Sequence, residues 1–70
     1  MNRFIEIHDP VTEQPELVNI NAIESVYTVI AAPDALVTRI DVIDGGCYDA
    51  RESYDEIKNM IINLIHQDII

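Results

Sequence analysis

The sequence reads RESYDEI over residues 51–57, and this stretch predicts where the chain changes from strands to helix. Ser53 and Glu56 have the spacing of a capping box. In that motif the serine hydroxyl accepts from the Glu56 backbone N–H, and the glutamate carboxylate accepts from the Ser53 N–H. Asp55 and Glu56 also place negative charge at the positive end of the helix dipole. A helix is therefore predicted from about Ser53 to about Gln67.

The predicted helix is amphipathic. At about 100° per residue, one face carries only apolar side chains: Tyr54, Ile57, Met60, Ile61, Leu64 and Ile65. Other apolar residues lie off this face or follow the helix, so the helix alone does not cover them. We expect these to contact a second subunit: Ile62, Ile69 and Ile70.

The residues before the helix alternate in the way that strands do. Strands are predicted over residues 3–8, 16–20, 23–30, 36–43 and 47–50. A loop of residues 31–35 centres on Pro33, and Asp44-Gly45-Gly46 predicts a hairpin turn. Strands followed by one helix indicate the α+β class. The prediction is one domain, residues 1–70, with a small antiparallel β-sheet of four to five strands and one C-terminal amphipathic helix.

Seventy residues form a small hydrophobic core. A domain of this size buries only about 60% of its unfolded surface and often depends on disulfides, a metal or a partner subunit. Cys47 is the only cysteine, which excludes an internal disulfide and suits a reducing compartment. We expect Cys47 to be a small core residue, with a free reactive thiol as the alternative, and we expect the chain to form a homo-oligomer.

The composition is strongly acidic, with thirteen Asp and Glu against four Lys and Arg and a net charge of −9. This balance disfavours direct nucleic-acid binding and contact with anionic membranes, which need clustered positive charge. It is compatible with simple solubility or with a basic protein partner. Residues 1–3 begin no secretory signal, and no apolar run approaches the roughly 20 residues that span a bilayer. A cytoplasmic protein is expected.

Six acidic residues crowd one segment, and they are the candidate partner-binding residues: Asp41, Asp44, Asp49, Glu52, Asp55 and Glu56. The first interpretation of such a cluster is a solvated acidic face, and the second is a negative patch that docks on Lys or Arg of another protein. A calcium loop does not fit, because aligning Gly45 with the glycine of an EF-hand places Ile40 and Val42 at ligand positions. We expect no metal and no cofactor.

Catalytic residues are not expected. Nucleophilic catalysis needs an activated Ser, Cys or Thr beside a base. His8 and His66, the only histidines, lie on different elements as surface residues, and Ser53 is committed to capping the helix. A chain this short also has little volume for a preorganised pocket. The sequence therefore indicates a protein that is not an enzyme.

A second hypothesis is an oligomeric protein that sequesters a small molecule such as a signalling nucleotide. Its candidate ligand-binding residues are Arg39, Arg51 and Tyr48. Tyrosines at a subunit boundary could stack on a base, and a guanidinium could meet the phosphate. This hypothesis predicts that one of the two arginines is required.

Several landmarks form a pattern that spans nearly the whole chain. They are the initial strand, Asn19 or Asn21 before Ile23-x-x-Val26, Thr38-x-Ile40, Asp44-Gly45, Tyr48, and Glu52-Ser53-x-x-Glu56-Ile57. The pattern resembles the small FlbD/SwrD-type proteins linked to bacterial flagellar motility, and uncharacterised phage and prophage proteins of similar size. The resemblance implies an accessory motility role or a phage-encoded protein, and it carries no catalytic residues.

The first hypothesis is therefore a small, acidic, non-enzymatic interaction protein. It would act as an inhibitor or adaptor of a bacterial host protein, of the anti-defence type if the chain is phage-encoded. The nucleotide-sequestering and motility roles are the alternatives.

Overall fold

The computed structural model describes residues 3–67. Its elements are β1 (Phe4–His8), β2 (Pro15–Asn19), a 3₁₀ turn (Ile20–Ala22), β3 (Ile23–Ala32), β4 (Ala35–Val42), β5 (Cys47–Ala50) and α1 (Tyr54–Gln67). The α+β class is confirmed, with strands followed by one C-terminal helix. Ile69 and Ile70, expected to contact a second subunit, lie outside the described residues.

The five strands form two antiparallel sheets, not the single sheet that was expected. β1 pairs with β2, and β3, β4 and β5 form a three-stranded sheet in that order. The Arg51 N–H donates to the His8 carbonyl at 2.7 Å, which joins the end of β1 to the segment that follows β5. This bond fixes the position of one sheet relative to the other at the start of the helix.

Hydrogen bonds between neighbouring residues shape the connection from β1 to β2. The Asp9 carboxylate accepts from the N–H groups of Val11 and Thr12 at 2.8 and 2.9 Å. These backbone donors, Thr12 first and Val11 second, hold the pKa of Asp9 below its ordinary value. Pro15 is the first residue of β2, a position where a missing N–H is tolerated, so the prediction that it lies before the strand was wrong by one residue.

The turns of the two hairpins were predicted from the sequence with different accuracy. β3 and β4 continue to Ala32 and Ala35, so the predicted five-residue loop at Pro33 is a tight turn. The predicted turn at 44–46 is confirmed: Gly45 has φ +93, which suits glycine. The Asp44 carboxylate accepts from the Gly46 N–H at 2.9 Å.

The core lies where the two sheets and the helix meet. It consists of Ile5, Ile7, Val18, Ile40, Ala50 and Ile57. Ile5 and Ile7 are the buried residues of β1, in the alternation from which that strand was predicted. Cys47, expected in the core, is exposed; it pairs with Asp41, and paired strand residues project on the same face. Around Cys47 that face of the sheet is polar, whereas the Val29–Val37 pair farther along the same face is apolar.

The molecule is extended for its length. Its radius of gyration is 12.3 Å, with extents of 44 × 24 × 20 Å, whereas a compact chain of this size has about 11 Å. Ile30 and Leu36 pair with each other next to the turn of the β3–β4 hairpin. Their side chains are 74% and 69% exposed, so the apolar hairpin tip extends beyond the part of the sheet that the helix covers.

The capping box at the start of α1 is confirmed in both directions. The Ser53 N–H donates to Glu56 Oε1 at 3.0 Å, and the Glu56 N–H donates to Ser53 Oγ at 3.1 Å. Ser53 is therefore the cap, and the helix proper begins at Tyr54.

Removing the cap is expected to weaken the fold. Ser53→Ala should lower the free energy of unfolding by about 1 kcal/mol, because the Glu56 N–H loses its acceptor. Urea denaturation followed by circular dichroism measures the change. Ser53→Asp, which keeps an acceptor, should retain most of the stability; equal losses in both variants would contradict the capping role.

Candidate interaction surface

A cleft of about 290 Å³ lies between the β3–β4 hairpin and the start of α1. We call it the hairpin–helix cleft. The hairpin contributes Thr28, Leu36, Val37 and Thr38, and the other wall is residues 51–55. The Thr38 hydroxyl donates to the Glu52 carbonyl at 2.7 Å, which fastens the two walls together. The apolar part of the lining includes the exposed side chains of Leu36 and Tyr54.

Glu52 is turned into the protein, although the sequence analysis placed it in an exposed patch. Its side chain is 11% exposed. Oε1 accepts from the His8 backbone N–H at 2.8 Å, and Oε2 lies 2.6 Å from His8 Nδ1. A carboxylate can only accept, so Nδ1 carries the proton of this bond. His8 is half-buried, and the expectation of a free surface histidine was wrong.

The surroundings of Glu52 favour its ionised form. Burial of the carboxyl raises its pKa, but hydrogen bonds from the His8 side chain and backbone N–H outweigh burial and leave the pKa below the ordinary 4.5. Glu52 is therefore negatively charged at neutral pH, and the groups that donate hydrogen bonds to its carboxylate belong to the same chain. This residue has a structural role at the junction of β1 and α1.

The outer face of the three-stranded sheet carries a ladder of polar pairs. Arg39 Nε and Nη2 donate to the two Asp49 carboxylate oxygens at 2.8 and 3.2 Å. This two-bond pairing raises the pKa of Arg39 above its ordinary value. On the same face, Asp41 accepts from the hydroxyls of Ser25 and Tyr27 at 3.1 and 3.3 Å. The hydrogen bond to Asp41 raises the pKa of Tyr27.

The six acidic candidates are spread over several places. Asp41 and Asp44 lie at the turn end of the β4–β5 hairpin, and Asp49 is paired with Arg39. Asp55 lines the hairpin–helix cleft, and Glu56 follows it at the helix start. Asp55 and Glu56 are thus exposed beside the apolar side chains of the hairpin–helix cleft, and Asp44 is exposed beside Leu17 and Ile43 in a separate depression.

The three candidate ligand-binding residues do not converge. Arg39 pairs with Asp49 and Ile40 pairs with Tyr48, so Arg39 and Tyr48 project from opposite faces of the sheet. Tyr48 is half-buried against the core. Arg51 lies on the cleft wall, where Nη1 forms an ion pair with Glu13. Both arginines are engaged by carboxylates of the same chain.

A second cleft of about 270 Å³ runs along the helix, and we call it the helix cleft. It is lined by Val26, Tyr54, Lys58, Ile61 and Ile62. Ile62, expected to contact a second subunit, therefore lines an apolar depression next to β3. The exposure of Ile30 and Leu36 was not predicted from the sequence, because both residues fit the alternation of a half-buried strand.

Over residues 3–67, no group of three or more His, Cys, Asp or Glu side chains is arranged to hold a metal ion. Within the same range, no helix is both long enough and apolar enough to span a membrane.

Comparison with known proteins gave no relative. No family model, curated protein or solved structure matches this chain.

Proposed function

We propose that this chain is a small non-enzymatic interaction protein that binds a basic segment of a protein partner, as an inhibitor or adaptor, through the hairpin–helix cleft. The observation that carries the proposal is the pairing of apolar and acidic groups at this cleft. Leu36 and Tyr54 are exposed there, and Asp55 and Glu56 stand beside them.

The charge distribution supports a basic partner. Arg39 is neutralised by Asp49, and Arg51 by Glu13. Few basic side chains are therefore left to balance the remaining carboxylates. Asp34, exposed in the β3–β4 turn two residues before Leu36, adds a third negative charge on the hairpin side. A partner that presents Lys or Arg around an apolar residue would match this surface in charge.

The apolar residues supply the anchor. Aromatic and aliphatic side chains in the centre of an interface contribute most of the binding energy, whereas rim charges mainly set the association rate and its salt dependence. Tyr54 presents a ring whose hydroxyl can remain in water. We therefore expect Leu36 and Tyr54 to provide most of the affinity. The acidic rim, which consists of Asp34, Asp55 and Glu56, selects a basic partner.

The test compares two charge-matched triple variants. Asp34→Asn/Asp55→Asn/Glu56→Gln removes the rim charges, and glutamine at position 56 keeps a capping-box acceptor. Glu6→Gln/Glu16→Gln/Glu24→Gln removes the same charge from β1, β2 and the start of β3. Each protein is immobilised, the host lysate is passed over it, and retained proteins are identified by mass spectrometry. The retained protein is then titrated calorimetrically.

The rim variant is expected to bind the retained partner about tenfold more weakly, since three exposed charge contacts together contribute on the order of 1.4 kcal/mol. The loss should shrink at high salt. The control variant should bind like the wild type. Equal weakening in both variants would mean that net charge alone attracts the partner, and a retained acidic partner would contradict the proposal.

A further inference from the structure

We propose that two copies of this chain associate through the free edge of β3, in antiparallel register, so that Ile30 of each copy fills the helix cleft of the other. The occupant is a second copy of the chain. The inference does not depend on the proposed function: Tyr54 lines both clefts, but none of the acidic residues assigned to the partner lines the helix cleft.

The first observation is the character of the β3 edge. β3 is ten residues long and terminates the three-stranded sheet. Natural edge strands are usually short or interrupted by charge, proline or a bulge in mid-strand. β3 carries no charge from Ser25 to Ala32, and its irregularities in pairing with β4 fall near its two ends. The regular segment between them is an unprotected template for another strand.

The other edge strands are protected. β5, at the opposite edge of the three-stranded sheet, has only four residues and includes Asp49. β2 begins at Pro15 and continues with Glu16, and both residues discourage pairing at an edge. β1 is held at its end by the hydrogen bond from Arg51. Of the edges in the described part of the chain, β3 is therefore the one best suited to accept a second strand.

The second observation is a match between the hairpin tip and the helix cleft. Val26, Thr28 and Ile30 share the face of the sheet that packs on the helix, since they pair with Ile40, Thr38 and Leu36. Val26 lines the helix cleft, whereas Ile30 is 74% exposed. A twofold axis at Thr28 places Ile30 of one copy opposite Val26 of the other, on the same face. No other register aligns these two positions.

The charge pattern favours this occupant. The helix cleft contains Lys58 and no acidic residue, in a chain with thirteen acidic residues. Two copies that each carry a charge of −9 repel one another, so self-association needs a surface free of carboxylates. The strand from Ser25 to Ala32 and the helix cleft together provide such a surface.

Solution mass tests the interface. By light scattering, the wild type should have twice the 7.9 kDa of one chain. Ile30→Glu should have the mass of one chain, because the charge enters an apolar contact of the partner. Ile43→Glu is the matched control, since Ile43 is 69% exposed but lies beyond β4, and it should remain dimeric. A monomeric wild type, or an oligomer insensitive to Ile30→Glu, would overturn the proposal.

Cross-linking tests the register independently of any effect on folding. In a Cys47→Ser background, Thr28→Cys should form a disulfide dimer on mild oxidation, because residues facing each other across the axis are about 4.5–5.5 Å apart. Ser25→Cys is the control: its two copies would be roughly 20 Å apart in this register, at about 3.3 Å per residue. Cross-linking through position 25 and not 28 would exclude the register.

Discussion

Replacing Ile57 by alanine is expected to lower the free energy of unfolding by about 2–5 kcal/mol. The side chain is fully buried and is the helix residue in the central core cluster. Its loss removes apolar contacts with both sheets and leaves a cavity that the strands can close only in part. A core in a chain this small rarely supplies more than about 3–5 kcal/mol, so much of the variant population should be unfolded at 25 °C.

Urea denaturation monitored by far-ultraviolet circular dichroism checks this result, with two controls. Ile57→Val should cost about 1 kcal/mol, because only one methylene is removed. Ile65→Ala, on the same helix but 45% exposed, should cost much less than Ile57→Ala. A loss at Ile65 as large as at Ile57 would mean that the helix packs through a different face.

Removing the Glu52 carboxylate is expected to have the second-largest effect. Glu52→Ala leaves the His8 backbone N–H and the His8 ring N–H without their acceptor at a half-buried position. A donor deprived of its partner in this way costs about 1–3 kcal/mol. Chemical denaturation at neutral pH measures the loss. Glu52→Gln, which keeps one acceptor oxygen but no charge, should lose less than the alanine variant.

The same carboxylate should make stability depend on pH. Because the folded-state pKa of Glu52 lies below 4.5, the unfolded chain binds this proton first as the pH falls. The stabilising contribution is complete above about pH 4.5 and is lost as the pH falls through the folded-state pKa. Thermal unfolding between neutral and acidic pH should therefore show a smaller acid loss in Glu52→Gln than in the wild type. Identical acid profiles would contradict this role.

Local chemistry could be predicted from the sequence because it depends on neighbouring residues. Ser53 and Glu56 are three positions apart, and their reciprocal hydrogen bonds need only the start of a helix. Asp44 and Gly45 form their turn for similar reasons. The bounds of the predicted elements were correct to within two residues, and the largest difference is at Pro33, where the strands continue closer to the proline than was predicted.

The site could be predicted only in part because its contacts join distant segments. His8 and Glu52 are separated by 44 positions, and nothing in either stretch of sequence indicates that they meet. The division into two sheets has the same origin, since alternation specifies which face of a strand is buried but not which strand lies beside it. Without knowing how the strands divide into two sheets, one cannot tell which carboxylates of the acidic segment are paired, which are buried and which are exposed.

The composition of the core has a consequence for how the chain is made. Ile5, Ile7 and Val18 come from the first sheet, Ile40 and Ala50 from the second, and Ile57 from the helix. Proteins are synthesised from the N-terminus, and here no early segment contains a core of its own. The apolar faces of the strands therefore stay uncovered until α1 has been synthesised. During that interval the uncharged β3 strand of each nascent chain is exposed to its neighbours on the same messenger RNA.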